Sequence, residues 1–560
     1  MTHRSLLAPL LLVAACSAAP PVPPKPLSLA DMPAINATAV SADIRKLASD
    51  EFGGRAPGSQ GEELTVNYLV EQFKAAGAEP GNPDGTWVQK VPLVSLTATD
   101  ISPLLVRKAG RTLSFKPNDQ VVAFSQRVTD AIAVKDSEIV FAGYGVLAPE
   151  YQWDDLKGMD VKGKTLIVLV NDPPVPDPAD PNGLDPKTFG GKAMTYYGRW
   201  TYKYERAAAL GAAAVFIVHE TAPAGYPFNV VQGFGGERFD LVTPDKNMGR
   251  AAIQGWLSLD AATALLKAAG QDYQALKAQA RTREFTPVPL GMTASMSFTQ
   301  KMRNVDSRNV VAKITGADPA LKGEYVVYTA HWDHFGTGTP VNGDAIYNGA
   351  RDNASGTAML LEFARAFKHV QPAARRTVVF VSVTAEEQGL LGSEYYAKFP
   401  LYPLERTLAN INMDVINVWG RTKDLTIVGL GNSELDNYAR DAAAEQGRVL
   451  RPDSEPEKGF YYRSDHFNFG KVGVPALNPD AGVDFVDKPA NYAQQKRDEW
   501  THQDYHQPSD EVKDWWDLTG AADDGKVLFA VGYRVANAER YPEWTPGTEF
   551  RAVRDRMLKR

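Results

Sequence analysis

Tyr325-Val326-Val327-Tyr328-Thr329-Ala330-His331-Trp332-Asp333-His334 is a strand-type run, largely apolar, that ends abruptly in two histidines and an acid. Its apolar residues do not alternate with polar ones, which is the pattern of a strand covered on both faces in a parallel sheet. A second such run, 377–383, ends in Thr384-Ala385-Glu386-Glu387, and a third, 409–413, leads into Asp414. In open α/β sheets the carboxyl ends of the strands converge on one crevice, where ligands bind. Three strands therefore deliver a histidine and several acids to one edge. Helical patterns at 354–368, 433–445 and 526–537 alternate with these strands and with another at 425–428. That alternation predicts an α/β fold with at least a parallel core.

The first half of the chain reads differently. Helical spacing runs over 41–76, interrupted by the turn cluster Gly53-Gly54-Arg55-Ala56-Pro57-Gly58. Short strands follow at 91–96, 104–107, 121–124, 138–141, 165–170 and 214–218, with a helix expected over 206–213. The aromatic stretch Tyr196-Tyr197-Gly198-Arg199-Trp200-Thr201-Tyr202 reads first as core or domain-interface packing. A length of 560 residues suggests two or three domains. The net charge of −7, with no basic stripe, gives no reason to expect a nucleic-acid partner. The single cysteine, Cys16, excludes an intrachain disulfide framework. It follows Arg4, an apolar run over 6–15, and Leu12-Val13-Ala14-Ala15, a segment that resembles a bacterial lipobox. The expectation is an exported protein of the periplasm or cell envelope, with a signal peptide over 1–16 and a proline-rich tether over 17–36. Membrane contact would come only through a lipid at Cys16.

Between the first two strands, Asn348-Gly349-Ala350-Arg351-Asp352-Asn353-Ala354-Ser355-Gly356 is a glycine-bearing turn that opens a helix and places Asp352 near its N-terminus. Late in the chain, Asp504-Tyr505-His506-Gln507-Pro508-Ser509-Asp510 supplies another histidine. Histidines and carboxylates without cysteine form a nitrogen–oxygen ligand set suited to zinc and, with more oxygen, to manganese or cobalt. No G-x-S-x-G and no H-E-x-x-H occurs, which disfavours a serine hydrolase and a zincin.

The blocks His331-x-Asp333, Asp352-Asn353-Ala354-Ser355-Gly356, Glu386-Glu387-x-Gly389-Leu390-x-Gly392-Ser393, Asn412-x-Asp414 and His506-x-Pro508-x-Asp510 resemble the M28 family of zinc metallopeptidases. The resemblance implies a zinc-exopeptidase core with a mixed, mostly parallel central sheet flanked by helices. Phe141-Ala142-Gly143-Tyr144-Gly145, Asp154-Asp155-Leu156-Lys157-Gly158 and Lys162-Gly163-Lys164 resemble an inserted, β-rich protease-associated (PA) domain over 129–289. Residues 37–128 and 290–560 then form the peptidase part. Two zinc ions are implied, one on His331, Asp352 and Asp414 and one on Asp352, Glu387 and His506. Glu386 is implied as general base and Asp333 as the residue orienting His331. Tyr462 and Arg463, beside Ser464-Asp465-His466, are candidates for contact with substrate or oxyanion. His334 and His502 are set aside as more distant. The implied reaction is hydrolysis of N-terminal residues from peptides without a covalent enzyme intermediate. Other readings are a carboxypeptidase, dipeptidase or amidase on the same two-metal site, a one-zinc glutaminyl cyclase, or a non-catalytic peptide-binding lipoprotein.

Overall fold

The computed structural model describes residues 27–232 and 236–559, and the expected leader, Cys16 and first part of the tether lie outside them. The remaining part of the expected tether, 27–36, is no spacer. Leu29, Met32 and Ile35, spaced three apart, are buried in the main core. The Leu29 N–H donates to Glu445 at 2.6 Å and the Asn36 N–H to Glu362 at 2.8 Å. The prolines drew attention away from that apolar spacing.

The elements that position the site are α1 (Ala37–Leu47), α2 (Gln60–Ala75), β1 (Val88–Thr99), β2 (Ala131–Phe141), β3 (Thr165–Leu169), α3 (Trp200–Ala209), β4 (Ala214–Val218), β5 (Ile253–Leu257) and β6 (Val288–Ile314). They continue with β7 (Tyr325–His331), α4 (Ser355–His369), β8 (Thr377–Val383), β9 (Thr407–Asn412), β10 (Asp424–Val428), β11 (Ala476–Asp480), α5 (Tyr492–Gln503) and α6 (Thr519–Asn537). The central sheet runs β1-β6-β8-β7-β9-β11-β10. Strands β8, β7, β9 and β11 are parallel, and β6 and β10 join antiparallel to them. One face, carrying Val326, Tyr328, Ala330, Val378 and Phe380, packs under α1, α2, α4 and α6. The other, carrying Val327, Val379, Val381 and Val383, packs on Tyr396 and Phe469. Both faces are covered, which is why these strands are apolar throughout. The Tyr328 hydroxyl donates to the Leu528 carbonyl on α6 at 2.8 Å, and Gly532 leaves room for the ring.

A second unit is built on parallel β2-β3-β4-β5 and carries its own apolar clusters on both faces. Its limits are wider than the expected 129–289. Strand 121–124 pairs with β5, and β6 pairs with β2 from Val288 to Thr299 before continuing into the central sheet. A single strand of 27 residues serves both units. The helix expected over 206–213 lies instead at α3, because Leu210 closes it and Gly211 turns with φ +70°. No helix among the described residues is long and apolar enough to cross a membrane.

Candidate metal centre

His331 closes β7 and is buried, as are Asp333 and His334 after it. Glu386 and Glu387 follow β8, Asp414 follows β9, and Asp352 sits in the turn before α4. His506 lies beyond α5. These residues meet. His331 Nε2 lies 3.2 Å from Asp352 Oδ1, 3.3 Å from Asp414 Oδ1 and 3.8 Å from Glu386 Oε2. His506 Nε2 lies 3.3 Å from Asp352 Oδ2 and 3.2 Å from Glu387 Oε2. Asp352 thus presents one oxygen to each histidine.

The surroundings hold this arrangement. Asp510 accepts the N–H of Asp352 at 3.0 Å and of Arg351 at 3.1 Å, and so fixes the turn. Asn353 Oδ1 accepts from Gly356 and Val415, tying that turn to the segment after Asp414. The buried Arg55 guanidinium bonds four carbonyls, those of Leu47, Trp332, Asn348 and Gly349, and so links the loop after β7 to the Asp352 turn. The Asp333 carboxylate accepts the N–H groups of Glu386 at 3.0 Å and Glu387 at 3.4 Å. Its link to His331 runs from Nδ1 to the Asp333 backbone oxygen at 3.2 Å, with the carboxylate 3.7 Å away. Glu386 and Glu387 do not diverge by strand alternation. They lie in a turn that begins at Ala385, φ +52°, where the N–H groups of Gly389 and Leu390 donate to the Glu386 carbonyl.

Burial pushes Glu386 and Glu387 well above the usual carboxylate range, and neighbouring acids add to it. Burial would lower His331, but Glu386, Asp352 and Asp414 outweigh it and raise it well above its ordinary value. Burial would likewise raise Asp352, yet His331 and His506 hold it well below. Burial and nearby acids push Asp465 up to about 7, and both its oxygens are buried without a hydrogen-bond partner among the described residues. So dense a cluster of buried carboxylates needs cationic partners. Donor atoms of His331, Asp352 and Asp414 lie within 4.8 Å of one another, as do those of His331, Glu386 and Glu387 and those of His334, Asp352 and Glu387. The donor set fits divalent cations of the zinc type.

Two residues that the sequence reading named without giving them a role lie at the cluster. His334 is buried, and its Nδ1 lies 2.6 Å from Glu387 Oε1, the oxygen not facing His506. Burial lowers it to about 3, so it is neutral. Its position three after His331, at the same strand end, was the available signal. Tyr505, 39% exposed, packs its ring on His506 at 3.7 Å between centroids. Tyr462 lies apart. Its hydroxyl donates to Glu549 at 2.8 Å and its ring packs on Tyr196 and Phe467, so that proton is committed elsewhere. Arg463 stands outside the cluster, its guanidinium over the Phe460 ring at 5.3 Å. The Tyr196–Tyr202 aromatics pack at the seam between the units.

The profile of peptidase family M28 matches residues 309–530, which include each of the clustered acids and histidines. A probable zinc metalloprotease of Pyrenophora tritici-repentis is 27% identical over 265 residues, covering 42% of this chain and 59% of that protein. Aminopeptidase YwaD of Bacillus subtilis is 29% identical over 194 residues, covering 33% and 39% respectively. The chain thus spans well under two thirds of the length of these curated relatives. An aminopeptidase from Aneurinibacillus sp. strain AM-1 superposes with a TM-score of 0.50 at 19% identity, covering 89% of this chain and 94% of that one, and shares the fold.

Proposed function

We propose that this chain is a zinc-dependent metallopeptidase of the M28 type that removes N-terminal residues from peptides. The observation that carries the reading is Asp352, one carboxylate whose two oxygens face two different histidines, each backed by a further acid. His331, Asp352 and Asp414 would hold one divalent cation, and Asp352, Glu387 and His506 a second. Cations held there supply Lewis acidity, polarising the scissile carbonyl and lowering the pKa of water.

The remaining chemistry belongs to the side chains. Glu386 takes the proton of the attacking water and returns it to the leaving amine. Asp333 holds the Glu386-Glu387 backbone, and His334 steadies Glu387 through its second oxygen. The second unit, whose clusters take in Leu104, Val106 and Phe115 and extend to Phe298, is an inserted PA-type domain in this reading.

Glu386→Gln is expected to retain zinc by metal analysis while kcat on aminoacyl-p-nitroanilides falls about 10²–10⁴-fold. Glu387→Gln instead lowers zinc content. Near-normal turnover in Glu386→Gln removes the base from the mechanism. N-acetylated peptides should resist hydrolysis, and their efficient cleavage would move the assignment to another exopeptidase or an amidase.

A further inference from the structure

Arg351, the residue before Asp352, is 3% exposed and forms no ion pair among the described residues. Its charge is met by two indoles instead. The centre of the guanidinium lies 4.2 Å from the Trp419 ring and 4.1 Å from the Trp500 ring, and its Nε donates to the Ile416 carbonyl at 3.4 Å. A planar guanidinium can stack on two rings at once, which the compact ammonium of a lysine does poorly. The three partners come from three different segments. Arg351 belongs to the turn that presents Asp352, Trp419 to the segment after Asp414, and Trp500 to α5, just before the loop of His506. The packing continues towards that histidine. The Trp500 ring lies 4.8 Å from the Tyr505 ring, which lies 3.7 Å from the His506 ring.

His506 needs to be held in place. Its backbone is left-handed, φ +58°, a conformation that is unfavourable for a residue with a side chain and persists only where the surroundings fix it. After His506, Asp510 does this. Its carbonyl accepts the Ala350 N–H at 2.9 Å, and its carboxylate accepts the N–H groups of Arg351 and Asp352. Before His506 stands α5, a polar helix that buries only Ala493. The first turn of α5 is held by Tyr492, whose ring lies 5.1 Å from that of Phe485. The side-chain hydrogen bonds and ion pairs of the helix stay within it, as with Gln494 and Asp498 or Lys496 and Glu499. Trp500 on Arg351 is therefore the tie between the last turn of α5 and the turn of Asp352.

We propose that Arg351, clamped by Trp419 and Trp500, is a positioning residue that sets where His506 stands relative to Asp352, and with it the affinity of the cation that Asp352, Glu387 and His506 would hold. The proposal rests on the metal-centre reading above and adds a division between its two sites. His331 and Asp414 follow from adjacent strands of the central sheet, β7 and β9, and owe nothing to α5. His506 depends on α5 for its approach. Loss of the clamp therefore weakens one cation and spares the other.

Calorimetric titration of zinc chloride into the metal-free full chain reads both sites without turnover. The unmodified chain should take up two ions, and His506→Ala identifies which of the two the histidine completes. In Arg351→Met and in Trp500→Leu the Kd of that ion should rise about tenfold or more, as removal of a group that orients a metal ligand does, while the other Kd stays close to its original value. Trp500→Phe keeps a ring face for the guanidinium and should recover most of the affinity, and Arg351→Lys only part of it. Adding Arg351→Met to His506→Ala should change the remaining Kd little. Two ions bound with unchanged Kd values in Arg351→Met and Trp500→Leu overturn the clamp and leave the metallopeptidase reading standing. Equal weakening of both ions, or further weakening in the double variant, shows Arg351 to be a general strut and overturns the proposal as well. No zinc uptake by the unmodified chain overturns the metal reading and the clamp with it. Trp500 is half-buried on a polar helix, so if Arg351→Met does not fold, Trp500→Leu against Trp500→Phe decides: a selective loss that phenylalanine restores upholds the clamp, and equal Kd values in the two overturn it.

Discussion

Asp352 and Asp240 are both buried acids, and their surroundings send them in opposite directions. Asp352 has a histidine on each oxygen and stays ionised. Asp240 has Arg250 at 3.8 Å, the Asn247 amide at 3.3 Å and its neighbour's backbone N–H, from Leu241, at 2.8 Å, and burial still raises it to about 6. An acid whose folded pKa is raised stabilises the fold while it is protonated. That contribution is complete below the unfolded value, near pH 4, and is lost as the pH rises through 6. Above that, the ionised group costs on the order of 2–3 kcal/mol. Asp240→Asn should therefore raise the unfolding free energy at pH 8 by about 1–3 kcal/mol and change little at pH 4, measured by urea titration. A variant less stable at pH 8 would show that Arg250 over-compensates the burial. The chemistry-bearing acids and histidines were legible because each ends an apolar strand or opens a helix. The partner of His334 was not, since spacing along a chain does not tell which oxygen of Glu387 a ring meets. Tyr505 was not either, since an aromatic beside a histidine is ordinary until the stacking is seen.

The elements that carry the site are placed by close approaches that sequence periodicity shows only in outline. Strand β7 meets α6 where the Tyr328 ring fills the space above Gly532, and a Cβ there would collide with that hydroxyl. Gly532→Ala should cost about 1–3 kcal/mol, as overpacking does, despite the better helix propensity of alanine. Chemical denaturation measures this, and a stabilised variant would mean that the ring has another place to go. Strands β7, β8 and β9 were legible because burial on both faces demands continuous apolar residues. Strand β6 was not. Its alternation of buried and exposed residues carries through charged positions from one sheet to the next, and the reading saw a domain boundary where there is one continuous strand.

Two cores separated by one shared strand make a statement about how the molecule unfolds. The main cluster packs α1, α2, α4 and α6 on the central sheet, whereas the clusters around β3, β4 and β5 belong to the second unit. Chains with separate cores depart from two-state unfolding, so calorimetry should resolve two transitions. The acid cluster draws its residues from the ends of β7, β8 and β9, the turn before α4 and the loop beyond α5, all in the unit built on the central sheet. A cation bound only by the folded state stabilises by mass action, about 2.7 kcal/mol when its concentration is a hundredfold above Kd. Removing zinc with a chelator should therefore lower one transition by several degrees, leave the other in place, and be reversed by added zinc. If both transitions moved together, β6 would be acting as a rigid coupling that makes the two units one cooperative body. If neither moved, the carboxylates would be finding their compensation in protons and histidines alone, and the metallopeptidase reading would lose its physical basis.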